Sequence, residues 1–180
     1  MTLAWTDAER ALLERLDAAV TSPAAAASIA PVVARVEALM ANDPRAPEAW
    51  EPIPLEVYGG GLPLVIRSSW VFILRANRAS GAERHPNSHQ RMMSWRGHGD
   101  FQVHDGERWH SHLLVSDREA LLEKRWISIP RNMWHQGVVP ESDWVVVSFH
   151  TVPAHELIEE RPSGADPEST RQRRYLESST

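Results

Sequence analysis

Two stretches of this 180-residue chain carry side chains able to hold a metal ion. The first runs Gly81-Ala82-Glu83-Arg84-His85-Pro86-Asn87-Ser88-His89-Gln90, then Arg91-Met92-Met93-Ser94-Trp95-Arg96-Gly97. The second runs Trp126-Ile127-Ser128-Ile129-Pro130-Arg131-Asn132-Met133-Trp134-His135. The chain has 9 histidines, all after residue 84, and no cysteine. Thiolate sites, disulfides and cysteine nucleophiles are therefore excluded, and a metal would need imidazole, carboxylate or amide donors. Imidazole suits Fe, Ni, Cu, Mn or Zn. His85 and His89 are four residues apart, which puts them on one side of a regular strand, although Pro86 interrupts the ladder between them.

The second stretch resembles the second motif of the cupin superfamily, a strand leading into Pro-x-Gly-x-x-His. Pro130, Asn132 and His135 take those places, and Asn is the residue that best replaces Gly in a left-handed conformation. The first stretch resembles a degenerate first motif, which in that superfamily shows His-x-His, an acid four or five residues on, and a glycine some seven further. Two registers fit. Counted back from Gly97, His85 takes the second histidine place and His89 or Gln90 the acid place. Counted forward from Gly81, Asn87 and His89 take the histidine pair and Met93 the acid place.

The resemblance covers residues 55 to 152. It implies a histidine-only metal site of His85, His89 and His135 on a single barrel, with Fe(II) preferred and Zn, Mn or Ni as alternatives. The activity it implies is that of a dioxygenase on a small molecule. With no carboxylate on the ion, an anionic substrate is expected. Gln90, Arg75, Arg91 and His150 are candidate substrate contacts, and Trp95 and Trp134 candidate cavity walls. His150 alternates with Ser148 and Val146, so it lines the interior or faces water. His110 and His112 form a literal His-x-His with no acid or glycine at the right distance, and are expected on the solvent side. Two other functions stay open: a Zn, Mn or Ni lyase or isomerase, and a metal-free barrel that binds a small ligand and is no enzyme.

The elements that must position these residues are mostly short strands. Thr6 ahead of Asp7 and Glu9 marks a helix start. Ser22-Pro23 breaks that helix, and Pro31 opens a second with Val32, Val33, Val36, Leu39 and Met40 as its stripe. Leu55 to Tyr58, Leu64 to Arg67, Trp70 to Arg75, Gln90 to Trp95, Asp100 to His104, Trp109 to Val115, Trp126 to Ile129 and Trp144 to His150 read as strands. Asp105-Gly106 reads as a two-residue hairpin turn. The expected fold is mostly β: one cupin-type barrel (a double-stranded β-helix or jelly roll) at 51–160, preceded by a helical segment at 1–50 and followed by a polar, fraying tail at 161–180.

Composition narrows the rest. The net charge of −5 argues against a general nucleic-acid binder, and 42% hydrophobic residues suffice for a core. No run approaches about 18 consecutive apolar residues, so no membrane span is expected, and the first ten residues lack the apolar core of a secretory signal. A cytoplasmic homodimer acting on a small-molecule substrate is the expected setting.

Overall fold

A computed structural model describes residues 4–163 and 169–178. Helix α1 (Asp7–Val20) starts where its cap predicts, with Thr6 Oγ1 accepting from the Glu9 amide at 3.2 Å. Helix α2 (Pro23–Asn42) begins at Pro23, capped by Ser22, rather than at Pro31. Pro31 instead lies on the exposed side of α2, where burial of Ile29, Val32, Val33, Val36 and Met40 on the other side offsets the lost backbone bond. By length and composition α2 could cross a membrane, a feature that counting consecutive apolar residues misses. Here its apolar face packs on a sheet.

Eleven strands follow among the described residues. They are β1 (Glu48–Ile53), β2 (Ser68–Leu74), β3 (Arg78–Ala79), β4 (Gln90–Arg96), β5 (His98–His104) and β6 (Trp109–Val115). Then come β7 (Trp126–Ile129), β8 (His135–Val139), β9 (Trp144–His150), β10 (Ile158–Pro162) and β11 (Thr170–Arg174). A five-stranded antiparallel sheet has the order β1-β2-β9-β4-β7, and a four-stranded one β3-β8-β5-β6. From β2 to β9 the chain crosses repeatedly from one sheet to the other, as a jelly roll does. The expected barrel with helices ahead of it is what the chain forms.

The sheets enclose Trp70, Phe72, Met92, Phe101, Trp144 and Val146. On the opposite face of the larger sheet, Val71, Ile73, Met93, Val145, Val147 and Phe149 pack against Leu13, Leu16, Ile29 and Val36 of the helices. That sheet is buried on both faces, so β2 and β9 are apolar runs broken by little.

Four expectations fail locally. Leu55–Tyr58 forms a 3-10 turn and residues 64–67 form no strand, whereas Glu48–Ile53, across the expected boundary at residue 50, supplies β1. The β5–β6 hairpin pairs His104 with Trp109, so its loop has four residues. Asp105 Oδ1 accepts from the Glu107 and Arg108 amides at 2.9 and 3.0 Å and closes that longer loop. The polar tail pairs as β10–β11, because Arg173 holds buried Glu159 and Tyr175 is buried in the core.

Candidate metal centre

Glu83, His85 and His135 are buried, and one donor atom from each lies within 4.8 Å of the others. Backbone pairing brings two of them together: the Glu83 and His135 amides and carbonyls exchange bonds at 2.9 and 2.8 Å. Asn132 carries the left-handed turn before His135 with φ 62, as expected of Asn in the glycine place. Its amide donates to the His85 carbonyl at 3.1 Å, which ties the two histidine segments.

The histidine tautomers follow from their partners. His85 Nδ1 lies 3.0 Å from the Ile158 carbonyl, and His135 Nδ1 2.9 Å from the Met133 carbonyl. A carbonyl only accepts, so each Nδ1 carries a hydrogen, and Nε2 is the nitrogen left to serve as a metal donor. His135 Nε2 is buried with no hydrogen-bond partner and lies 3.5 Å from Glu83 Oε1. This unpartnered ring nitrogen, beside a second imidazole and a carboxylate, fits a transition metal.

Charge is set by burial. Burial pushes His85 down to about 4, helped by the neighbouring His135, so it is neutral at pH 7. Burial alone would raise Glu83, but the neighbouring His135 and the Arg161 guanidinium outweigh it and hold the carboxyl well below its ordinary value. Glu48, across Arg161, is raised to about 8 by burial and by the charge of Glu83.

Of the expected contacts, two join this group. Gln90 lines the same cavity, its Oε1 buried without a partner. His150 faces the interior with its ring centroid 5.0 Å from that of His85, and its Nδ1 meets Ser88 Oγ at 3.2 Å. Phe72, Leu74, Met92 and Phe101 complete the wall, and the free volume is about 20 Å³, room for one water-sized body.

The remaining expected residues lie elsewhere. Gln90 faces inward, so Arg91, next on β4, and His89, just before it, face the helix side of the sheet. His89 Nε2 meets Ser128 Oγ at 2.7 Å, and Arg91 forks onto Glu9 of α1 at 2.7 and 2.8 Å. Arg75 reaches the carbonyls of Met40, Asp43 and Ala46 and closes the end of α2. Trp95 packs with the helices, and Trp134 lies under Arg84 at 4.6 Å. The structure thus brings together two histidines and a carboxylate, Glu83, His85 and His135, and leaves His89 apart from them. Glu83 escaped notice because it stands where the resembling motif has its first histidine. Asn77 gave a signal: like Asn132 it is left-handed, at φ 57, and six residues on from it stands Glu83.

No protein-family model matches the sequence, and no curated protein does. Among solved structures, the chain is similar to oxalate oxidase in complex with the substrate analogue glycolate (15% identity, TM-score 0.46, 60% of this chain and 52% of that one). It is also similar to CapF from Staphylococcus aureus (12% identity, TM-score 0.46, 69% and 31%) and to the coconut allergen cocosin (16%, TM-score 0.49, 65% and 29%). The match spans about half of the oxalate oxidase chain and under a third of the other two. The strands cross between two antiparallel sheets as in a jelly roll, and the left-handed Asn132 turn delivers His135 opposite Glu83 and His85.

Proposed function

We propose that Glu83, His85 and His135 hold a divalent metal, Fe(II) by preference, and that the protein is an oxygenase of a small molecule. The observation that carries this reading is the donor set: two imidazoles, each with its Nδ1 held by a backbone carbonyl, beside one carboxylate, with a donor atom of each within 4.8 Å of the others. Two histidines and a carboxylate with open positions are the donor set of non-haem Fe(II) oxygenases. When bound, Fe(II) supplies electrons for reaction with dioxygen.

The chain's own residues do the rest. Glu83 cancels one of the two positive charges, so the centre keeps a net positive charge that favours an anionic or neutral oxygen donor. Gln90 offers its unpartnered Oε1 and its amide hydrogens to orient the substrate. Phe72, Leu74, Met92 and Phe101 exclude bulk water from the centre. The free volume admits one water-sized group, so a larger substrate requires the wall to move.

That same narrowness favours a second reading, a barrel in which nothing is turned over. Oxygen uptake separates the two. Protein loaded anaerobically with Fe(II) and mixed with small carboxylic acids consumes dioxygen on the first reading, and Gln90→Ala slows it. Iron-loaded protein that leaves dioxygen untouched with every acid tried supports the second.

A further inference from the structure

The Glu83 carboxylate has two oxygens with different neighbours. Oε1 is the one beside His135, whereas Oε2 accepts from Arg161 Nη2 at 2.7 Å. Arg161 sits on β10, far along the chain, and its guanidinium makes three further bonds. Nη2 also donates to Glu48 Oε1 at 2.6 Å, Nη1 to the Ser80 carbonyl at 2.9 Å, and Nε to Glu159 Oε1 at 2.5 Å. Glu159 is in turn forked by Arg173 of β11 at 2.7 and 2.9 Å. The planar guanidinium thus has one orientation, fixed by three buried glutamate side chains and a carbonyl.

We infer that Arg161 is a positioning residue of the metal centre, tying back one oxygen of Glu83 so that the other alone faces His85 and His135. The inference rests on the metal-binding reading above. It makes the C-terminal hairpin part of the centre, since β10 also supplies the Ile158 carbonyl that fixes the His85 tautomer. A freely rotating Glu83 would be able to offer both oxygens; held by Arg161 it offers one. Hydrogen bonds that orient a metal-ligating carboxylate are typically worth 10- to 100-fold in metal affinity.

The test uses full-length protein titrated with Co(II), read by affinity and by the visible absorption bands of the bound ion. Arg161→Lys keeps a cation among the buried carboxylates but lacks the fork. The expected result is a fold unchanged by circular dichroism, Co(II) affinity lower by about 10- to 100-fold, and shifted bands. Arg173→Lys disturbs the same hairpin through Glu159 without touching Glu83, and is expected to stay within about twofold of the parent affinity. Parent affinity and parent bands in Arg161→Lys overturn the inference. So does an equal loss in Arg173→Lys, which would make Arg161 a support of the hairpin only. A parent protein that binds no Co(II) overturns the metal reading itself.

Discussion

Metal-free protein should lose stability steeply on mild acidification, and the slope can be worked from the buried histidines. Burial holds His85 and His89 at about 4 in the folded chain and His150 well below 6.5. Unfolded, each titrates near 6.5. Between pH 6.5 and about 4.5 the unfolded chain therefore binds three protons that the folded chain refuses. Glu48 works the other way: raised to about 8, it holds a proton when folded that it loses when unfolded. The net difference is two protons, so stability falls by about 2.7 kcal/mol for each pH unit downward. Glu9, held below its ordinary value by Arg91 and Ser128 against the effect of burial, adds to the fall only below about pH 4.5.

Two pH units at that slope approach the whole stability of an ordinary domain. The assay is urea unfolding at steps from pH 7.5 to 4.5 in the presence of a chelator. His89→Gln, remote from the candidate metal centre, removes one of the three protons and should halve the slope to about 1.4 kcal/mol per pH unit. Stability that stays level or rises on acidification, or a His89→Gln slope equal to the parent's, refutes the reasoning.

Two further outcomes follow from packing. Glu9→Gln strips the partner from buried Arg91, whose Nη1 has none already, and should lower stability by about 2–3 kcal/mol, or roughly 5–10 °C in Tm. An unmoved Tm would mean that α1 is not clamped there. Gly99→Ala sets a Cβ 2.2 Å from Trp144 Cε3, and should cost about 1–3 kcal/mol with a change in tryptophan fluorescence as the indole moves off its 2.8 Å bond to Ser94. Unchanged stability and emission would contradict the close approach.

The sequence was most legible where one physical signal acts alone. β6, β7 and β9 run over the expected residues, because β-branched and aromatic runs between turn residues have few other solutions. Asn132 was readable as a left-handed turn from its residue type. Parity on β4 was not readable, since Gln90 and Arg91 are both polar and only the fold decides which faces inward. Residues of both faces, Gln90 with His89 and Arg91, were therefore placed in the site. Glu83 was hidden for a related reason: an acid and an amide occupy places where a histidine and an acid were sought. The tail misled through composition. Its arginines read as solvated charge, but Arg161 and Arg173 close on Glu48, Glu83 and Glu159, pairings between residues up to 113 apart in sequence.

The central claim is that Glu83, His85 and His135 bind one ion and that His89 does not. Metal stoichiometry after Fe(II) or Co(II) loading and desalting tests it directly. The account expects close to one equivalent in the parent and in His89→Ala, and almost none in His135→Ala or Glu83→Ala. Ion retained by folded His135→Ala and lost from His89→Ala, or no ion in the parent, would contradict it.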